Sequence, residues 1–153
     1  MPLAYRIQKA RHLDTVLLGE GARRFGGRWN PPGVPLLYTS TTPEQALLEN
    51  LVHLDETPLE ELPEFILLEL DIPDSIEFSD EERLPDGWHR VPEPPGLNRF
   101  LLPFLRPNAA LAFSVPSVVM PWSRNLLINP LHPLMNAVQI VRQEPFRFDG
   151  RLR

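Results

Sequence analysis

Arg28, Tyr38 and Glu49 bring a fixed cation, an aromatic ring and a carboxylate into one short span of the chain. Arg28 stands in the run Gly26-Gly27-Arg28-Trp29-Asn30, and Tyr38 in Leu37-Tyr38-Thr39-Ser40. A guanidinium stays charged, and its planar fork suits phosphate oxygens. Two glycines beside it let a backbone approach the same anion closely. A tyrosine at the end of a short apolar strand can stack on a flat heterocycle. A helix glutamate can steady a developing positive charge, orient a hydroxyl or act as a base. Together these groups suffice to clamp a phosphorylated, aromatic-headed ligand and break a bond in it. Each also has a plainer reading: a salt bridge for Arg28, a core-edge ring for Tyr38, a solvated side chain for Glu49.

A second polar cluster follows later. Ser117, Asn125, Asn129 and His132 are threaded through the apolar runs Val115-Pro116 and Leu126-Leu127-Ile128. Buried polar side chains need partners, so these four bond either backbone or a ligand. Asn129 precedes Pro130 and is equally suited to form a turn.

The elements that must position these groups are short. Leu3 to Ile7, Pro35 to Ser40 and Phe65 to Asp71 read as strands, and Gly19 to Gly33 as a structured loop. Thr42-Pro43-Glu44-Gln45 starts a helix that runs to about Leu54: threonine as N-cap, proline in the first turn, glutamine to complete a capping box. Leu47, Leu51 and Leu54, widened by Leu48 and Val52, form its apolar stripe. Glu49 and His53 fall on the other side, one turn apart. Asp74 to Pro95 reads as an acidic surface excursion around Trp88, and Gly96 to Leu105 as a short helix stopped by Pro107. Leu111 to Val115, Ser117 to Met120, Asn125 to Ile128, Ala137 to Val141 and Phe146 to Phe148 read as further strands. Strands outnumber helices and few helices separate them. The pattern predicts a single α+β domain rather than a doubly wound parallel sheet.

Nineteen prolines against eight glycines explain the shortness of these elements, since proline ends a ladder or a helix rather than filling it. A hydrophobic share of 42% and a charged share of 23% are those of a globular chain with one substantial core. A net charge of −5 argues against a direct nucleic-acid binder, which needs a basic surface. No apolar run is long enough to cross a bilayer, no secretory signal is visible, and there is no cysteine. Those features fit the cytoplasm. The four histidines are scattered without ligand spacing, and no G-x-S-x-G, P-loop or G-x-G-x-x-G pattern occurs.

The ordered set of motifs resembles the RES-domain family, named for an arginine, a glutamate and a serine. The resemblance rests on G-G-R-W-N at Gly26 to Asn30, L-Y-T-S at Leu37 to Ser40 and A-L-L-E-N-L-V-H-L at Ala46 to Leu54. It continues through L-I-N-P-L-H-P at Leu127 to Pro133 and F-R-F-D at Phe146 to Asp149. It treats residues 1–153 as one RES domain. It implies an ADP-ribosyltransferase-like fold of mixed and antiparallel strands with few helices. It further implies a toxin of a bacterial type II toxin–antitoxin pair, neutralised by an Xre-type helix-turn-helix antitoxin, with a homodimer as one assembly state. NAD+ is then the substrate, with no metal. Its nicotinamide–ribose bond is cleaved by hydrolysis or phosphorolysis, or its ADP-ribose is transferred to a protein. A non-catalytic nucleotide-binding module is the alternative. By the same resemblance Arg28 holds the diphosphate, Tyr38 stacks on the nicotinamide side, and Glu49 is the catalytic carboxylate. Trp29, Ser117 and Asn129 complete the substrate-binding set, with Ser117 preferred over Ser114 and Ser123, and His132 shapes the pocket. In place of the family's G-D-x-W-L stretch this chain has Gly96-Leu97-Asn98-Arg99-Phe100-Leu101, which reads as a packing change.

Overall fold

A computed structural model describes residues 2–54, 56–78, 83–106 and 109–152. Seven strands form one sheet: β1 Leu3–Lys9, β2 Leu37–Ser40, β3 Phe65–Asp71, β4 Ile76–Phe78, β5 Ala112–Pro116, β6 Arg124–Ile128 and β7 Gln139–Phe146. Their spatial order is β4-β5-β6-β2-β1-β3-β7. Every neighbouring pair is antiparallel except β4 with β5. Two α-helices are present among the described residues, α1 Glu20–Phe25 and α2 Pro43–Leu51, with several 3-10 turns. The expected single α+β domain with a mixed sheet and few helices is what forms.

The two faces of the sheet are used differently, because successive side chains on a strand alternate sides. One face buries Ala4, Leu37, Leu68, Leu70, Ala112, Leu126 and Ile128, and the 3-10 segment Ala10–Leu18 covers it through Val16. The other face carries two separate apolar clusters. Ile7 and Phe65 pack with Ala46 of α2. Trp29, Leu36, Leu97, Leu101, Phe113, Val115 and Leu127 pack under the proline-rich connections. Leu97 and Leu101, from the stretch that departs from the family pattern, are thus core residues, 3% and 1% exposed.

Several local expectations change. The segment Gly19 to Gly33 holds the short helix α1 rather than loop alone. Gly96 to Leu105 is two 3-10 turns, Leu97–Arg99 and Leu102–Phe104, not one helix. Pro107, expected to stop it, lies outside the described residues, as do residues 79–82 of the acidic excursion. Ser117 to Met120 is not a strand, because two of its amides turn back onto the Ser117 hydroxyl. Ala137 ends a 3-10 turn, so the last strand begins at Gln139 and runs unbroken to Phe146.

Candidate active site

The chemistry-bearing residues gather on the sheet face with two apolar clusters. On β2, Tyr38 lies opposite Leu127 of β6, and Ser40 opposite Asn125. Asn125 in turn lies opposite Val115 of β5. Ser117 follows directly after β5, and α2 crosses the same face above β1.

Glu49 of α2 is half-buried at this seam. Its Oε1 accepts three hydrogen bonds: from Ser117 Oγ at 2.7 Å, Asn125 Nδ2 at 2.8 Å and Gln45 Nε2 at 2.9 Å. Oε2 accepts none among the described residues. Ser117 is 1% exposed, and its hydroxyl also accepts from the Val119 and Met120 amides at 3.1 Å each. Its proton is therefore directed at Glu49, and the hydroxyl is a support rather than a nucleophile. Ser114, by contrast, receives Arg124 Nε at 2.8 Å. Asn125 is itself oriented, because its Oδ1 accepts from Ser40 Oγ at 3.0 Å.

Tyr38 is fixed at its hydroxyl. The group donates to Asn30 Oδ1 at 2.6 Å and accepts from the Trp29 amide at 3.0 Å. Gly27 is required here, because a Cβ at that position would stand 2.7 Å from the tyrosine oxygen. Burial raises the Tyr38 phenol well above its ordinary range, so it is neutral at physiological pH. The backbone carbonyl of Tyr38 is held from β1 by Arg6 Nη1 at 2.8 Å. Arg6 has no carboxylate partner among the described residues, and burial lowers its pKa to about 10, still charged at neutral pH.

Arg28 is half-buried and pairs with no carboxylate among the described residues, so the salt-bridge reading does not hold for them. Its Nη1 donates to the carbonyls of Trp88 and Arg90, both at 2.8 Å. Its Nε and Nη2 have no protein partner among the described residues, which leaves part of the fork for an anion. Its charge is close enough to favour the Tyr38 phenolate slightly, against the larger effect of burial.

Other expected site residues take supporting places. The Trp29 ring is 4% exposed and stacks on Trp88, with ring centroids 6.4 Å apart, so it is part of the core under the loop. Asn129 is 3% exposed and its Oδ1 accepts from the Leu131 amide at 3.1 Å, the turn-forming role. His132 bonds the Ala109 carbonyl at 2.7 Å and the Leu134 amide at 3.0 Å, which ties the same turn to a neighbouring loop. His53 is exposed just beyond α2. The residues that sequence reading left out of the site are Gln45 and Ser40. Gln45 looked like a capping residue, and Thr42 Oγ1 does accept its amide at 3.1 Å. Its side chain turns inward to Glu49 instead of back to the cap. One helical turn from Glu49, and two strand residues from Tyr38, were the available signals. Among the described residues no group of three or more metal-ligating side chains comes together.

Fold and site together define a single-domain α+β protein in which Glu49 and Tyr38 stand on one sheet face, each in its own hydrogen-bond network, with Arg28 on the loop that holds the Tyr38 hydroxyl. The RES domain model matches residues 3–149, and the chain belongs to that family. It is 40% identical over 138 residues to a protein of Pseudomonas putida named Toxin Res, across 89% of this chain and 92% of that one. It is 32% identical over 142 residues to the Prs ADP-ribosylating toxin of a Sphingobium species, across 89% and 86%. The NAD(+) phosphorylase MbcT of Mycobacterium tuberculosis is 53% identical over 39 residues, 25% of this chain and 20% of that one. The crystal structure of the M. tuberculosis MbcT–MbcA toxin–antitoxin complex contains a chain of similar fold. That likeness has a TM-score of 0.64 at 20% identity, over 95% of this chain and 84% of that one.

Proposed function

We propose that this protein is an NAD+-consuming toxin that cleaves the bond between nicotinamide and ribose. The observation that carries the reading is Glu49: three donors fix one carboxylate oxygen, and the other stays open on the face shared with Tyr38. Family membership and the names of the relatives supply the substrate class.

Nicotinamide leaves NAD+ as a neutral ring, so its departure needs no general acid. What the bond cleavage does need is stabilisation of an oxocarbenium-like ribose. Glu49 Oε2 provides a negative charge held in place before the reaction begins. Arg28 binds the diphosphate through the donors it does not use on the Trp88 and Arg90 carbonyls. That remote anchor helps fix the sugar over the carboxylate. Tyr38 offers its ring to the nicotinamide side while its hydroxyl is tied back to the loop. Ser117 acts through Glu49. Trp29 and Asn129 shape the walls that carry these groups. No step requires a metal.

The group that adds to the anomeric carbon sets the product. Water gives ADP-ribose, inorganic phosphate gives its 1-phosphate, and a side chain gives an ADP-ribosylated protein. The Sphingobium relative, matched over most of both chains, favours a protein acceptor as the second reading. The partner that restrains the activity is an antitoxin of the Xre helix-turn-helix type, and both act in the cytoplasm. Purified protein incubated with NAD+ should release nicotinamide, and Glu49→Gln should lower that release by at least about a hundredfold. Release that is unchanged in Glu49→Gln overturns the assignment.

A further inference from the structure

Gln45 is 2% exposed and lies one helical turn before Glu49. Its Nε2 donates to Glu49 Oε1 at 2.9 Å and reaches Asn125 Oδ1 at 3.4 Å. Its own Oε1 is buried without any hydrogen-bond partner. The amide cannot be turned over to relieve this. Its oxygen would then face two acceptors, Glu49 Oε1 and Asn125 Oδ1. A buried acceptor left unpaired is destabilising. Methionine has a similar length and helix propensity and would bring no such penalty. A residue that violates a local rule of stability beside a reacting group points to function.

The network shows what the amide does. The terminal torsion of a glutamate is broad, so nothing intrinsic to the side chain fixes the plane of its carboxylate toward the cleft. Ser117 and Asn125 approach Oε1 from the strand side of the seam, and Gln45 approaches it from the helix. Gln45 also acts a second time through Asn125. With Ser40, it holds the asparagine oxygen so that the asparagine NH2 must point at Glu49.

We propose that Gln45 is a positioning residue, with Ser40 behind Asn125 as its counterpart, and that it locks Glu49 Oε1 in the seam so that Oε2 alone meets the ribose. This rests on the reading of Glu49 as the reacting carboxylate. A carboxylate fixed in one orientation needs no rearrangement as charge develops on the sugar.

The test compares Gln45→Met, Ser40→Ala and Glu49→Gln with the wild-type chain, by thermal melting and by nicotinamide release from NAD+. Gln45→Met should melt at the wild-type temperature or above it. Its kcat should fall about tenfold or more, with KM for NAD+ changed by less than about twofold. Ser40→Ala should lower kcat in the same direction but less. Wild-type kcat in Gln45→Met overturns the proposal, and so does a loss of kcat that comes with a lower melting temperature. A change confined to KM also overturns it. If Glu49→Gln itself retains full release, the assignment of the carboxylate fails instead, which separates the two claims.

Discussion

Glu49 and Tyr38 are both asymmetric in their bonding, and that asymmetry is what makes them usable. Glu49 has one oxygen occupied and one open. Tyr38 has its hydroxyl occupied and its half-buried ring attached to the same sheet face. Tyr38→Phe removes the partner of both the Trp29 amide and the buried Asn30 oxygen, and should destabilise the fold by about 1–3 kcal/mol in urea unfolding. The pH dependence has a definite sign. Burial raises the folded phenol above its ordinary value of 10, so its contribution is complete below pH 10. It is lost as pH rises above 10 through the folded value. The wild-type stability should therefore fall more steeply above pH 10 than that of Tyr38→Phe. Arg28, Tyr38 and Glu49 were legible in the sequence as candidates, because their residue types carry recognisable chemistry. Gln45 was not, since a glutamine near a helix start has an ordinary explanation in the cap.

Helix α2 is the element on which the site depends, and its start was readable in detail. Thr42 caps it through the Gln45 amide, with proline in the first turn. Thr42→Ala should cost about 1 kcal/mol of stability by chemical denaturation, and should shift the helix turn that carries Gln45. The inward face of the helix was less readable. A leucine stripe suggested that Leu48 and Val52 widen the buried side, yet the fully buried residues are Gln45 and Ala46, and Val52 is 56% exposed. The physical reason lies beneath the helix. It crosses a polar seam between two apolar clusters, so part of its buried face must be polar to satisfy Ser117 and Asn125. Periodicity of apolar residues cannot report a face of that kind. The loop from Gly26 to Asn30 was marked by its glycines, but Gly27 makes room for the Tyr38 hydroxyl and Asn30 accepts from it, where the sequence suggested close approach to an anion.

At the scale of the whole molecule, one sheet separates two jobs. The face that carries Leu126 and Leu68 supplies the main core, with Thr39 and Ser114 also buried in it, and the other face holds the seam. Most strands were visible as short runs between prolines, although Ile76–Phe78 in the acidic excursion was missed and Gln139–Phe146 was read as two. Their order was not visible, because β2 pairs with β6 and β1 with β3 across long separations in sequence. The site exists only through that order, which brings Asn125 beside Ser40 and Ser117 beneath Glu49. A helix-turn-helix antitoxin should inhibit nicotinamide release when titrated into the purified toxin. Release unaffected by saturating antitoxin that binds the toxin would contradict that mode of restraint. The central claim is tested most directly by incubating the purified protein with NAD+, with and without phosphate or cell extract, and following nicotinamide. Expected is release by the wild-type chain and loss of at least about a hundredfold in a folded Glu49→Gln variant. No release from the wild type under any of these conditions, or equal release from the variant, would contradict it.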